Sequence, residues 1–132
     1  MNNSSEKEIE LLEIQLITTI LFIGSLLISV AITYNDLAEL KGEKGLFDND
    51  EENTLAIFNR ILVVILTIVF LYVSYENLQL CRVKHTEDQG PFIMQIIASE
   101  LSTLASIIVL YAVLKTAGTE YSLIIGGSNP NL

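Results

Sequence analysis

The sequence predicts an all-α integral membrane protein, a bundle of three transmembrane helices followed by a short C-terminal tail. Hydrophobic residues make up 51% of the 132 residues and charged residues only 17%, below the quarter that is usual in soluble domains. The charges also avoid three long stretches, 14–35, 61–75 and 91–114, apart from Glu100 in the last. A helix of about 20 residues crosses the hydrocarbon core of a bilayer. The second stretch reaches that length when the residues that precede it, from Ala56 onward, are included.

A soluble helical bundle is the main alternative to this fold. A buried helix can be apolar all round, but three such helices out of three leave none to supply a polar exterior. Three separate segments also do not form a closed barrel of short alternating strands. We therefore predict a single membrane domain, 1–132, with spans at approximately 14–35, 57–79 and 92–115, an acidic loop at 36–56 and a tail at 116–132.

Start and stop signals delimit the three helices. Ser5 and Glu8 fit a capping box at the start of the first helix, and Gly42 after Lys41 is a typical helix end. Asn53 or Thr54 is expected to cap the second helix. Pro91 suits the first position of the third helix, which is expected to end near Gly118. The short apolar patch in the tail is too short to span again.

The charge balance excludes some partners. The net charge is −9, which argues against nucleic acid and against docking on anionic lipid through basic clusters. The basic residues divide three against four between the two sides of the predicted membrane, so the positive-inside rule does not fix the orientation. Arg82 and Lys84 follow their span closely, which favours the N-terminal side as cytoplasmic.

We expect no enzyme, no cofactor and no metal site. Cys81 is a lone cysteine, and His85 has no second His or Cys nearby for a metal cluster. Asp48, Asp50 and Glu52 have the spacing that begins a calcium loop, but the required glycine and final glutamate are missing. The chain also lacks a paired nucleophile and base.

Small and polar residues recur at helical spacing on each predicted span. Small residues at such steps let helices approach closely, and hydroxyl groups can form hydrogen bonds across the interface. We interpret the pattern as a packing seam; a water-filled lining of Ser and Thr is the alternative. The candidate helix-packing seam contains Ser25, Ser29, Thr67, Ser74, Ala98, Ser102, Ala105 and Ser106.

Glu100 is an ionisable residue inside the third apolar stretch, about 12 Å from the start of that span at 1.5 Å per residue. A charge within a bilayer is costly, so polar partners are expected. Three roles stay open: a structural hydrogen-bond hub, a cation or proton site, or a partner for a basic residue on another chain. The candidate intramembrane polar cluster contains Gln15, Thr18, Thr19, Tyr72, Tyr75, Gln95, Glu100 and Thr103.

Two segments carry a family resemblance. IFNRILVVILTIVFLYVSYENLQL and PFIMQIIASELSTLASIIVLYAVL resemble uncharacterised small three-span membrane proteins of low-GC Gram-positive bacteria, over roughly a third of the chain. The resemblance implies a multi-pass protein of the bacterial cytoplasmic membrane.

The expected function follows from the predicted bundle and its seams. We expect the protein to act through helix–helix association, as a self-associating unit or as an accessory subunit of a larger membrane complex. Its partners would be the lipid bilayer and a second copy or another membrane protein. The alternative is an oligomeric channel, or an ion or proton conduit, that uses the Ser/Thr seams and Glu100.

Overall fold

Three long helices account for most of the chain. The structure, a computed structural model, describes the backbone of residues 3–83 and 88–125 and the side chains of residues 5–83 and 88–116. Within these residues the helices are α1, Asn3–Leu40, α2, Asn49–Val83, and α3, Gly90–Ile125. All three are long and apolar enough to cross a membrane. The prediction of an all-α fold with three long apolar helices is confirmed.

The end of α1 is set by Gly42, as predicted. Gly42 has a φ of 75°, in the left-handed region that glycine adopts without a steric penalty. Its N–H donates to the carbonyl of Glu39 at 3.0 Å, and the N–H of Glu43 donates to the carbonyl of Ala38 at 2.8 Å. This pair of bonds is a Schellman motif, which satisfies carbonyls that the end of the helix leaves free.

The start of α2 differs from the prediction. Neither Asn53 nor Thr54 caps it: the side chain of Asp48 accepts a hydrogen bond from the N–H of Glu51 at 2.8 Å, and the helix begins at Asn49. The acidic residues of the segment suit the positive end of the helix dipole and extend the helix by one turn. The non-helical connection is therefore residues 41–48, shorter than the predicted loop at 36–56.

The start of α3 follows the prediction and its end does not. Pro91 lies in the first turn, next to Gly90, whose N–H donates to the side chain of Asp88 at 3.0 Å. The helix continues past Gly118 to Ile125, because a single glycine costs only about 1 kcal/mol in a helix interior. Residues 126–132 of the predicted tail lie outside the described residues, as do Lys84 and His85.

The central helix α2 packs against both of the others, whereas α1 and α3 do not pack against each other in the described part of the chain. Two rows of buried residues on α2, each with members seven positions apart, explain this arrangement. They are offset by one residue, which is about 100° around a helix. With neighbouring axes about 9 Å apart, α1 and α3 are then about 14 Å apart. The first row contains Asn59, Leu66 and Val73, and the second contains Thr67, Ser74 and Cys81.

Three helices in this arrangement occupy three corners of a square. Adding one helix at the fourth corner would give the cross-section of a four-helix bundle. The described part of the chain leaves that corner empty.

Candidate helix-association site

A groove of about 410 Å³ lies at the empty corner, between α1 and α3. Its floor comes from α2 and its walls from the other two helices. Amide and hydroxyl side chains mix with two phenylalanines and small residues along it. The lining residues are Gln15, Phe22, Thr67, Phe70, Val73, Ser74, Asn77, Gln95, Ala98, Ser99 and Ser102.

Two pairs of hydroxyl groups join α2 to α3 beside this groove. The hydroxyl oxygens of Thr67 and Ser106 lie 3.2 Å apart, and those of Ser74 and Ser99 lie 3.0 Å apart. Thr67, Ser74 and Ser106 are buried. The structure therefore brings these predicted seam residues together across the α2–α3 interface.

A buried asparagine joins α2 to α1. The hydroxyl of Ser25 donates to Oδ1 of Asn59 at 2.7 Å, and Nδ2 of Asn59 donates to the hydroxyl of Ser29 at 3.0 Å. Asn59 is only 2% exposed. Sequence reasoning missed this residue, although Asn59, Leu66 and Val73 follow one another at steps of seven residues.

The remaining seam residues are not buried between the described helices. Ala98, Ser102 and Ala105 are exposed, and Ala98 and Ser102 line the groove. Ala98, Ser102 and Ser106 place a small residue at every fourth position of this part of α3, and Ala105 directly precedes Ser106. Such a pattern allows close approach of another helix, so this side of α3 has room for one.

The predicted intramembrane polar cluster is not brought together as one group. The hydroxyls of Thr18, Thr19 and Thr103 donate to carbonyls four residues earlier in their own helices. Gln15 and Gln95 lie on opposite walls of the groove. The other members are spread over the surface: Tyr72, Tyr75 and Glu100 are exposed.

The height of Glu100 along the bundle follows from the contacts of its neighbours. Ser99 pairs with Ser74, and Glu100 is one residue, about 1.5 Å, further along α3, so Glu100 lies near the level of Ser74. Glu100 is exposed, and its side chain forms no hydrogen bond or ion pair with any described residue. It does not line the groove.

A charged cluster lies at the same height on α1 and α2. Nζ of Lys7 donates to the hydroxyl of Tyr72 at 3.3 Å and lies 3.8 Å from the carboxylate of Glu76. The hydrogen bond to Tyr72 raises the pKa of Lys7. Tyr72 and Glu76 flank Ser74 by two residues on each side, so Glu100 is level with this charged cluster.

A second group of polar residues gathers where α1 turns into α2. Asn35 is completely buried, and its Oδ1 accepts a hydrogen bond from the N–H of Phe47 at 2.9 Å. A Cβ atom at Gly45 would collide with the Asn35 side chain. Asn35 thus holds the connection close to the last turns of α1.

Three carboxyl groups lie next to this asparagine: Asp36 and Glu39 of α1 and Glu52 of α2. One oxygen from each lies within 4.8 Å of the other two. Burial of the carboxyl group and the neighbouring Asp36 raise the pKa of Glu52 to about 7. This group lies outside the predicted span at 57–79, and sequence reasoning did not bring its members together because they meet only when the turn closes.

Comparison with protein families, with curated proteins and with solved structures gives no match for this chain. The geometry of the groove and of the turn is therefore the basis for assigning a function.

Proposed function

We propose that the protein is a multi-pass membrane protein that acts through helix–helix association, as a self-associating unit or as an accessory subunit of a larger membrane complex. The groove at the empty corner carries the proposal. It offers a place for a fourth helix, and small residues on α3 allow that helix to approach closely.

The heights of the charged residues support insertion in a bilayer. On α3 the charge-free segment 101–114 lies between Glu100 and Lys115. Its 14 residues span about 21 Å, and charged side chains at the two ends extend their head groups outward. Glu100 then lies at the edge of the apolar belt, level with Lys7 and Glu76. We place the protein in a cell membrane, and the resemblance in its second and third helices favours a bacterial cytoplasmic membrane.

Lipid chains alone are a poor filling for the groove. The N–H and C=O groups of the Gln15 side chain form no hydrogen bond within the described part of the chain, and acyl chains offer them none. A polar group without a partner in an apolar medium costs free energy. A helix that presents hydroxyl or amide groups satisfies them and fills the groove.

The conduit alternative has less support. Thr67, Ser74 and Ser106 already bond to other groups of the protein, so their hydroxyls have fewer hydrogen bonds to offer to water. Glu100 lies outside the groove. Helix association requires only the exposed small residues of α3 and does not require a pore.

The test is the mass of the purified protein in mild detergent, together with any protein that co-purifies. The proposal predicts an oligomer, or a complex with a stoichiometric partner. Ser102→Leu, which fills the groove, should release the associated chain without unfolding the helices. Ile108→Leu, on an exposed position outside the groove, serves as the control and should leave the complex intact. A monomer without a partner would overturn the proposal.

A further inference from the structure

One face of α3 carries a coiled-coil pattern that neither the contact with α2 nor the groove uses. Its residues follow one another at alternating steps of four and three, the spacing of the a and d positions of a heptad. All of them are exposed. This heptad face contains Ile93, Ile97, Glu100, Leu104, Ile107, Tyr111 and Leu114.

The heptad face points away from the rest of the described bundle. Ser99 and Ser106 of α3 face α2, and Ala98 and Ser102 line the groove. None of the residues of the heptad face lines that groove. A heptad pattern sustained over about three repeats is typical of a helix that winds around a second helix, so this face suits a partner helix.

A second copy in the same orientation is a poor partner for this face. Glu100 is its only charged residue. Two parallel α3 helices in register place Glu100 opposite Glu100 of the second copy. Two ionised carboxylates at contact repel each other, and neither has a hydrogen to donate.

An inverted second copy gives Glu100 a complementary partner. An antiparallel pair centred on this face places Leu104 opposite Ile107 and Glu100 opposite Tyr111 of the second copy. The hydroxyl of Tyr111 can donate a hydrogen bond to the carboxylate, and such charge-assisted bonds are strong. Lys115 adds a positive charge, because its Nζ lies 6.0 Å from the centre of the Tyr111 ring.

The charges along the chain are compatible with both orientations. Basic residues divide three against four between the two sides of the predicted membrane, so the positive-inside rule gives no strong bias. Glu100 and Lys115 end the charge-free segment 101–114 of α3, and inversion exchanges these two ends. In the antiparallel register the two apolar segments lie about one turn, roughly 6 Å, from exact overlap.

We propose that two copies of this chain insert in opposite orientations and pair through the heptad faces of α3, with Glu100 of each copy against Tyr111 and Lys115 of the other. The pair is isologous, because the same residues serve on both sides of a two-fold axis. The inference rests on the proposed membrane insertion and self-association. It uses the side of α3 away from the groove, which stays open to a further helix.

Disulfide cross-linking in native membranes tests the pairing. Two differently tagged copies are co-expressed in a Cys81→Ser background, one with Ile97→Cys and the other with Leu114→Cys. These positions lie opposite each other in the antiparallel pair, so an oxidant should yield a cross-linked dimer that carries both tags. Cross-links only between identical copies, or no cross-link at all, would overturn the proposal.

Charge variants make the cross-link specific. Glu100→Lys places a lysine opposite Lys115 and should abolish the mixed dimer, whereas Glu100→Lys combined with Lys115→Glu exchanges the two charges and should restore it. Ser102→Leu, on the groove side of α3, is the control and should leave the yield unchanged. An unchanged yield in Glu100→Lys, or a loss in Ser102→Leu, would count against the heptad face.

Orientation is measured separately, with a membrane-impermeant maleimide on intact cells and the same Cys81→Ser background. Glu6→Cys lies near the start of α1 and Glu43→Cys just beyond its end, and both positions are exposed. Each should be labelled in a part of the chains. Labelling of only one position would overturn the inverted pair, whereas an oligomer in detergent would then still support association through the groove.

Discussion

The side chains of Ser74 on α2 and Ser99 on α3 meet with their hydroxyl oxygens 3.0 Å apart. This contact fixes the register of the two helices. Together with the Thr67–Ser106 pair one heptad away, it sets the height of each residue of α3 relative to α2. It also places Glu100 near the level of the Lys7–Glu76 cluster.

The Asn59 bridge should contribute measurably to stability. We expect Asn59→Leu to lower the free energy of unfolding by about 1–2 kcal/mol, because it removes two hydrogen bonds between α1 and α2. Denaturant or thermal unfolding in detergent measures the loss. Asn77→Leu is a matched control, since the Asn77 side chain forms no hydrogen bond within the described residues. Equal stability of the two variants would contradict the bridge.

Leucine substitutions at Ser102 and Ser106, which lie on successive turns of α3, should have different effects on stability. Ser106 is buried against Thr67, so Ser106→Leu overpacks the interface and should cost about 1–3 kcal/mol. Ser102 is exposed at the groove, so Ser102→Leu should leave the unfolding of a single chain nearly unchanged. Thermal unfolding under conditions that keep the protein monomeric compares them. A larger loss for Ser102→Leu would mean that the α2–α3 interface is misassigned.

Alanine in place of Gly24, inside α1, and in place of Gly42, at the end of α1, should change the stability in opposite directions. Gly42 has a φ of 75°, so Gly42→Ala should destabilise the helix end by about 1 kcal/mol. Gly24 lies inside α1 with open space around its Cα, so Gly24→Ala should stabilise the helix by roughly 0.5–1 kcal/mol. Paired unfolding curves give both values. A stabilising Gly42→Ala would be inconsistent with the Schellman motif at Gly42, and a destabilising Gly24→Ala would be inconsistent with open space at Gly24.

Glu100 should lie near the membrane surface. A spin label at Glu100→Cys should be readily reached by a water-soluble nickel reagent, whereas a label at Ile107→Cys should be reached mainly by oxygen, in a Cys81→Ser background. Because Glu100 has no partner in the described chain, Glu100→Gln should change the free energy of unfolding by less than about 0.5 kcal/mol. A label at position 100 that is as protected as one at 107 would place Glu100 deep in the bilayer.

Much of the fold was predictable from the sequence because it depends on local chemistry. Long charge-free stretches predict the helices, and Gly42 predicts the end of α1. The register between helices was not predictable, since it depends on which hydroxyls meet. The sequence of α3 alone suggests that Glu100 lies deep in the bilayer. The Ser74–Ser99 contact instead puts Glu100 level with Lys7.

The candidate site was predictable in part for the same reason. Small and polar residues at helical spacing indicated a packing seam, but not which helices share it, and Asn59 was not among them. Asp36, Glu39 and Glu52 are separated by a connection whose path depends on Asn35. Their meeting is a property of the closed turn, which residue spacing alone does not give.

The central position of α2 has a consequence for how the chain is made. Because α1 and α3 contact only α2 among the described residues, that part of the chain consists of two hairpins that share one arm. The Ser25–Asn59 contact is complete once residues 1–83 have left the ribosome, and α3 can dock afterwards onto a finished hairpin. We therefore expect a chain divided between residues 83 and 88 and expressed as two pieces to reassemble, with the second piece recovered through α2.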